Sequence, residues 1–179
     1  MAAPDSPGPH PQHVVVMGVS GTGKTTVAVE LAAHFGWDFV EGDDLHPPAN
    51  IAKMSAGVAL DDGDREPWLE ALGLVIARHH AAGISIVVTC SALKQDYRDV
   101  LRGRLPGAAA VFFVHLAAPY DVIMARMESR EHFMAPSLLR SQLDTLEPLG
   151  EGERGVVIDV SRPATDVVAA AIEALERAG

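Results

Sequence analysis

Cysteine is almost absent from the sequence: Cys90 is the only one in 179 residues. A single thiol cannot form a disulfide within the chain, which fits a reducing compartment, and we expect a cytoplasmic protein. Because Cys90 ends an apolar run, we predict that its side chain is a small buried hydrophobe.

Long hydrophobic runs and clusters of basic residues are missing too. No apolar stretch reaches the ~18 residues that span a bilayer, and the N-terminus lacks the apolar segment of a secretion signal. The formal net charge of -10 would repel nucleic acid and anionic membranes at long range. We expect neither as a partner. A small anionic substrate is still compatible, because a few Arg and Lys side chains in a cleft can bind it.

The length is that of one domain. Residues 1–12 hold four prolines and predict a disordered leader, followed by a single domain over 13–179. Apolar runs predict strands at 13–17, 38–40, 84–89, 110–116 and 156–160, and helical patterns lie between and after them at 25–35, 66–82, 94–102, 120–130, 136–146 and 164–178. Pro67 is expected in the first turn of the 66–82 helix. Strands alternating with helices predict an α/β fold with a parallel sheet covered on both faces.

A glycine-rich motif follows the first strand. Residues 18–25, GVSGTGKT, fit G-x-x-x-x-G-K-[ST], and a helical pattern begins directly after them. In such a loop the backbone N–H groups hold phosphates, the lysine reaches the β- and γ-phosphates, and the Thr25 hydroxyl ligates Mg²⁺. We therefore predict ATP and Mg²⁺ as cofactors. The predicted nucleotide-binding residues are Gly18, Ser20, Gly21, Thr22, Gly23, Lys24, Thr25 and Thr26.

Carboxylates follow the second strand, where ligands of open α/β sheets bind. We expect Glu41 to hold Mg²⁺ and Asp43 to act as the base that orients an acceptor hydroxyl toward the γ-phosphate. An acidic turn with Asp44 as a helix cap is the alternative. His46 precedes two prolines and is either a substrate contact or a structural residue.

Three further segments carry a family resemblance. They are Glu41-Gly-Asp43-x-x-His46-Pro47 with its continuation to Pro67-Trp68-Leu69; Cys90-Ser-Ala-Leu-Lys94-x-x-Tyr97-Arg98-Asp99; and His132-Phe133-Met134 with Ser141-Gln142-x-x-Thr145-Leu146-Glu147. This set resembles the gluconate kinases over about residues 14–175. The resemblance implies phosphoryl transfer from ATP to gluconate on a P-loop NTPase fold like that of nucleoside monophosphate kinases. That fold is a three-layer α/β/α arrangement with a five-stranded parallel sheet and a helical lid, here about residues 121–147, usually in a homodimer.

The chain departs from the family at two places: Ala59 stands where proline is common, and a glycine usual between Arg130 and His132 is missing. Neither change touches the predicted chemistry, but the second affects the hinge of the lid.

Gluconate presents a carboxylate and a row of hydroxyls, so its site should combine cations with polar side chains. We expect Arg98 and Lys94, with Lys53 or Arg65, to bind the carboxylate. We expect Asp43, His46 and Ser91 to bind hydroxyls, with Gln142 and His132 contributing from the lid side. The alternatives are solvated helix charges at the two lysines, an ion pair of Arg65 with Asp62 or Asp64, and an exposed helix position for Gln142. Trp68 and Tyr97 are expected mainly to pack.

Two arginines on one helix face, Arg126 and Arg130, precede His132. A mobile lid that carries such arginines can neutralise the charge on the transferred phosphoryl group once both substrates are bound. Ion pairs of these arginines with Glu128 or Glu131 are the alternative. Residues 159–163, after the last strand, are expected near adenine.

Two other functions are compatible with the glycine-rich loop. One is a small-metabolite kinase of the same fold with a different acceptor, such as shikimate kinase. The other is a nucleotide-dependent switch, against which the acidic cluster argues, because a switch needs no base opposite the γ-phosphate.

Overall fold

Five parallel strands form the centre of the molecule. The computed structural model describes residues 12–105, 111–128 and 136–179. The strands are β1 (His13–Met17), β2 (Asp38–Val40), β3 (Ile86–Thr89), β4 (Val111–Ala117) and β5 (Gly155–Asp159), in the spatial order β2-β3-β1-β4-β5. Every neighbouring pair is parallel. The strands β1, β3 and β4 are apolar runs buried on both faces, as crossover connections require.

Helices cover both faces of the sheet. They are α1 (Lys24–Phe35), α2 (Pro48–Ser55), α3 (Asp62–Ala81), α4 (Gln95–Arg102), α5 (Tyr120–Glu128), α6 (Pro136–Thr145) and α7 (Ala164–Ala178), with a 3₁₀ helix at Gly42–Leu45. Alternate residues of β1 face opposite layers: Val14 and Val16 pack with α1 and α7, and Val15 and Met17 pack with α3 and α4. The predicted three-layer fold is confirmed.

Helix α3 begins four residues earlier than its apolar pattern suggests. Asp61 is its N-cap and accepts a hydrogen bond from the backbone N–H of Asp64 (2.8 Å), while the Asp64 carboxylate accepts from the backbone N–H of Asp61 (3.0 Å). This capping box satisfies N–H groups of the first turn, so a polar turn forms upstream. The expectation that the helix starts at Glu66, with Pro67 in its first turn, was wrong, because Pro67 lies inside the helix.

Other predicted bounds agree with the structure to within one or two residues, and α2 was not predicted. The predicted helix at 120–130 ends in residues outside those described. The same holds for part of the predicted lid, which remains a prediction. Among the helices that the structure describes, none has both the length and the apolar composition needed to cross a membrane.

A histidine cluster lies at the amino-terminal edge of the sheet. His13 is buried, and its Nε2 lies 3.1 Å from Nδ1 of His80. In the described part of the chain, Nδ1 of His13 has no hydrogen-bond partner. Burial, reinforced by the nearby His80 and His79, lowers the pKa of His13 to about 4.

This depressed pKa predicts acid sensitivity. Between the unfolded value of 6.5 and about 4, the unfolded chain binds a proton that folded His13 does not, so His13 lowers the free energy of unfolding as pH falls through that window. In urea titrations across pH 4–7, the free energy of unfolding should fall less steeply with decreasing pH for His13→Leu than for the wild type. His34→Leu, which removes a more exposed histidine of α1, is the control. Equal slopes for the wild type and His13→Leu would contradict the assignment.

Candidate functional site

The carboxyl ends of β1, β2 and β3 meet at one edge of the sheet. Strand β1 leads into the glycine-rich loop, β2 into Glu41 and β3 into Cys90 and Ser91. Parallel strands order these exits side by side, so residues far apart in sequence converge there.

The glycine-rich loop wraps tightly at the start of α1. Gly18 has φ +133°, and a Cβ there would lie 2.4 Å from the backbone oxygen of Leu116, so no other residue fits without displacing β4. The Thr22 hydroxyl and the Lys24 ammonium both donate to the Val19 carbonyl, at 2.9 and 3.2 Å. These bonds hold the loop closed over its own backbone.

We call the concavity over this loop the phosphate hollow. It is lined by Ser20, Gly21, Gly23, Lys24, Thr25, Thr26, Glu41 and Asp43. Of the predicted nucleotide-binding residues, it gathers all but Gly18 and Thr22. Gly18 shapes the loop instead, and Thr22 is buried beneath it.

Two threonines orient the Glu41 carboxylate. The Thr25 hydroxyl donates to Oε2 at 2.6 Å, and the Thr89 hydroxyl donates to Oε1 over a short contact. Thr89 Oγ1 in turn accepts from the backbone N–H of Gly42 at 2.8 Å. Thr89 was not singled out from the sequence, although it is the polar residue that ends the strand next to β1. Two oxygen ligands of the kind Mg²⁺ prefers therefore stand side by side in the phosphate hollow.

Gly42 brings the ends of β2 and β3 together. A Cβ at this position would lie 1.9 Å from the backbone oxygen of Thr89. The Trp68 indole N–H donates to the Gly42 carbonyl at 2.7 Å. With the backbone held at Gly42, the side chain of Asp43 is 74% exposed and lines two concavities, the phosphate hollow and an adjoining pocket.

We call this second concavity the acceptor pocket. It is lined by Ser20, Lys24, Asp43, His46, Met54, Val58, Ala59, Leu60, Arg65, Trp68, Ser91, Leu138, Ser141 and Gln142. Three residues, Ser20, Lys24 and Asp43, line both concavities, so the two spaces open into one another. The structure thus brings together five of the predicted substrate residues: Asp43, His46, Arg65, Ser91 and Gln142.

His46 presents one defined ring nitrogen to this pocket. Its ring stacks on Trp68, with centroids 4.0 Å apart. The Asn50 amide nitrogen reaches both the Asp64 carbonyl (2.7 Å) and Nδ1 of His46 (3.3 Å). Because the carbonyl can only accept, Asn50 is the donor and Nδ1 of His46 is the acceptor. The proton of neutral His46 is then on Nε2, 3.9 Å from Asp43 Oδ1.

The charge state of His46 follows from its surroundings. Burial lowers its pKa, the Asp43 carboxylate opposes this shift, and Arg65 adds to it. The net shift is downward, so His46 is neutral at pH 7 and serves as a hydrogen-bond donor through Nε2.

Arg65 is the buried arginine of the acceptor pocket, and no acidic side chain of the described residues forms an ion pair with it. Its side chain is buried, and its only hydrogen bond within the described residues goes to the Tyr97 hydroxyl at 3.4 Å. The alternative considered for Arg65, an ion pair with Asp62 or Asp64, does not form, because lysines hold both carboxylates. A buried guanidinium at a polar pocket can bind an anion strongly.

Lys53 and Lys94 do not line the acceptor pocket, contrary to expectation. Lys53 binds both oxygens of Asp64 at 2.6 Å, and Lys94 binds both oxygens of Asp62 at 2.9 Å. These hydrogen bonds raise the pKa of each lysine and lower that of its aspartate. Both lysines therefore tie neighbouring segments to the start of α3.

Arg98 was also expected to bind substrate, and the structure corrects this assignment. Its side chain is 0% exposed. Two bonds go to Glu153, and the others go to the carbonyls of Ala92, Glu147 and Pro148. A guanidinium has five N–H donors, so none is left for a ligand. Burial favours a neutral Glu153, but the hydrogen bonds from Arg98 and from the backbone N–H of Gly150 together outweigh burial and lower the pKa of Glu153.

Helix α6 contacts the glycine-rich loop through Gln142. Its Oε1 accepts from the backbone N–H of Ser20 at 2.7 Å, and its Nε2 donates to the Ser20 hydroxyl at 3.2 Å. Leu138 and Ser141 line the acceptor pocket from the same helix. Their spacing relative to Gln142 marks one helix face, which the sequence alone could have indicated.

Arg126 lies at a third concavity, which we call the base cleft. It is lined by Thr22, Gly23, Thr26, Val27, Arg126, Val160, Ala164 and Val167. Arg126 donates to the Arg162 carbonyl at 3.2 Å, so it stands beside the segment expected near adenine and does not line the acceptor pocket. Arg130 and His132, the other predicted lid residues, lie outside the described residues.

Comparisons with known proteins agree with this geometry. The family described as AAA domain matches residues 14–149. The chain is 52% identical to a gluconokinase of Gluconobacter oxydans (strain 621H), covering 80% of this chain and 79% of that protein. It is 42% identical to the thermoresistant gluconokinase of Escherichia coli (strain K12), covering 94% and 96%. The crystal structure of a gluconokinase from Sinorhizobium meliloti 1021 superposes with a TM-score of 0.86 at 46% identity, covering 94% of this chain and 93% of that one.

Proposed function

The chain belongs to the gluconokinase family, and we propose that it transfers the γ-phosphoryl group of ATP to gluconate, giving 6-phosphogluconate and ADP. The observation that carries the proposal is the junction of the two concavities, where Lys24 and Asp43 line both the phosphate hollow and the acceptor pocket. A phosphoryl donor and an alcohol can meet there in line, which is the arrangement that phosphoryl transfer requires.

Mg²⁺ fits the phosphate hollow. The Thr25 hydroxyl and Glu41 Oε2 are 2.6 Å apart. Residues 12–105, 111–128 and 136–179 contain no group of three or more His, Cys, Asp or Glu side chains placed to hold a metal ion by themselves. Two protein oxygens suit Mg²⁺, which keeps several waters and takes phosphate oxygens. When bound, the ion would neutralise phosphate charge, and Thr89 would keep the Glu41 carboxylate in position.

Asp43 acts as the base. Its carboxylate accepts the proton of the substrate hydroxyl as that oxygen forms its bond to the γ-phosphorus and the bond to the β-phosphate oxygen breaks. Lys24 lines both concavities, and its ammonium group stabilises the negative charge on the oxygens of the phosphoryl group as it is transferred. His46 donates from Nε2 to the substrate, because its Nδ1 is occupied by Asn50.

Arg65 binds the gluconate carboxylate. It is the buried cation of the acceptor pocket, and it replaces Arg98, Lys53 and Lys94 in this role because those three are occupied by protein acceptors. Ser91, Ser141 and Gln142 offer hydroxyl and amide groups to the polyol. The apolar residues of α2 and its following loop limit the space around the carbon chain.

Arg126 binds the nucleotide at the base cleft, beside the Arg162 carbonyl. For Arg130 and His132 we keep the role that the family resemblance implies, in a lid that closes over both substrates. We propose a homodimer on the same resemblance, and a cytoplasmic location because the chain has a single cysteine.

A coupled assay of ADP release tests the reaction. The purified protein is given ATP and Mg²⁺ with gluconate, other aldonic acids, shikimate or a nucleoside monophosphate. Gluconate should give the largest kcat/KM, with phosphate on its terminal hydroxyl by ³¹P NMR. Preferred turnover of shikimate would assign a different kinase activity, and hydrolysis unaffected by any acceptor would support the nucleotide switch.

Replacing Asp43 should separate chemistry from binding. We expect Asp43→Asn to lower kcat by ~10²-fold or more, because the amide cannot accept the hydroxyl proton, while ATP affinity measured by calorimetry stays near that of the wild type. Asp44→Asn is the matched control, since Asp44 lies in the same 3₁₀ helix and lines neither concavity. A kcat that survives the Asp43 substitution shows that the base is another group.

Removing the Arg65 charge should weaken the binding of gluconate and leave the binding of ATP unchanged. We expect Arg65→Met to raise KM for gluconate ~10- to 100-fold, the cost of one charge-assisted contact, with KM for ATP unchanged. The wild type should also prefer gluconate over the uncharged polyol glucitol, and the variant should lose that preference. Arg78→Met, an exposed substitution in the same helix, is the control. If the preference persists in Arg65→Met, the carboxylate is bound elsewhere.

A further inference from the structure

One residue beside the acceptor pocket has an unusual backbone conformation. Ala92 has φ 44°, and within the described ranges it is the only non-glycine residue with positive φ. A side chain in this left-handed region crowds its own backbone, so the conformation persists only where the surroundings hold it. Ala92 directly follows Ser91, which lines the acceptor pocket.

The Ser91–Ala92 peptide also contacts the glycine-rich loop. The Ser91 carbonyl accepts a hydrogen bond from the backbone N–H of Gly18 at 3.3 Å. The chain after Ala92 is held at Leu93, whose carbonyl accepts a hydrogen bond from the backbone N–H of Glu147 at 2.7 Å. With that side fixed, rotation about the N–Cα bond of Ala92 would displace the whole of Ser91, its carbonyl and its hydroxyl together. The conformation of Ala92 therefore decides where Ser91 points.

Arg98 supplies the bond that holds Ala92. Its Nη1 donates to the Ala92 carbonyl at 3.1 Å. The guanidinium is itself held by Glu153, at 2.7 and 2.9 Å, and by the carbonyls of Glu147 and Pro148, at 3.2 and 3.0 Å. Both side chains of the ion pair are essentially buried. The donor that reaches Ala92 is thus fixed from three other directions.

We propose that Arg98 is a positioning residue for gluconate: it holds Ala92 in the left-handed conformation and thereby directs Ser91 into the acceptor pocket. The inference rests on the proposed function, since it assigns Ser91 to the gluconate site. Arg98 touches no substrate. Its effect on the reaction passes through the backbone of Ala92.

The physical reason is a competition between strain and one buried hydrogen bond. Without the bond from Arg98, Ala92 relaxes toward negative φ, Ser91 turns about the N–Cα bond of Ala92, and the acceptor pocket loses a polar contact. Glycine has no Cβ and adopts the same φ without strain. Glycine at position 92 should therefore make the bond from Arg98 dispensable.

The experiment compares Arg98→Lys with the double variant Arg98→Lys/Ala92→Gly. A lysine keeps the charge beside Glu153, but its three donors cannot reproduce the five bonds of the guanidinium. We expect Arg98→Lys to raise KM for gluconate at least ~10-fold. KM for ATP should change less than ~3-fold, because the bonds of Thr22 and Lys24 to the Val19 carbonyl still hold the glycine-rich loop when the Ser91 bond to Gly18 is lost. The double variant should recover most of the gluconate affinity. Arg102→Lys, in the same helix, should behave as the wild type.

The outcomes separate positioning from general stability. A KM for gluconate that is unchanged in folded Arg98→Lys overturns the proposal. So does a raised KM that Ala92→Gly fails to lower, because Arg98 would then act by another route. If Arg98→Lys does not fold, Glu153→Gln takes its place, both alone and combined with Ala92→Gly, because it loosens the guanidinium without removing it. The results are then interpreted in the same way. Failure of the wild type to phosphorylate gluconate counts against the proposed function instead.

Discussion

The close approach of β2 and β3 at Gly42 is the constraint on which the site depends. A side chain there would overlap the Thr89 carbonyl, so only glycine lets the two strand ends touch. That contact lets Thr89 bond both Gly42 and Glu41, and it lets Trp68 reach the Gly42 carbonyl. Glu41 and Asp43, on either side of Gly42, are consequently fixed relative to the glycine-rich loop. Separation of the strands would disturb the predicted metal ligand and the predicted base together.

The basic side chains near the site differ in whether they form an ion pair with a carboxylate of the protein. The protein carries a formal net charge of -10, yet its reaction requires several anionic groups to meet. Lys53, Lys94 and Arg98 are paired with carboxylates and join segments of the fold. Arg65 is buried at the acceptor pocket, and none of the carboxylates in the part of the chain that the structure describes forms an ion pair with it. A cation held by packing, with donors still facing a pocket, is available to an anionic ligand, whereas a paired cation is not.

The acceptor pocket owes its hydrogen-bonding pattern to residues that surround it. Asn50 uses its amide hydrogens on the Asp64 carbonyl and on His46, which leaves the His46 proton on the side of Asp43. On the opposite side of the pocket, Gln142 forms two hydrogen bonds with Ser20 and so connects α6 to the glycine-rich loop. Donors and acceptors are thus oriented before any ligand arrives, which lowers the cost of ordering them on binding.

Features that rest on neighbouring residues could be predicted before the structure was known. The glycine-rich loop, its flanking strand and helix, the parallel α/β fold and the carboxylates after β2 are all encoded by local patterns, because phosphate binding and strand burial need particular residues at close spacing. The partners of individual charged side chains, in contrast, became known only from the folded chain. From the sequence, Arg98 was predicted to bind the ligand. In the folded chain it binds Glu153, which lies 55 positions away. The same is true of Lys94 and of Thr89, whose partners lie 32 and 48 positions away. Ion pairs and buried hydrogen bonds depend on distance in space, which sequence separation does not specify.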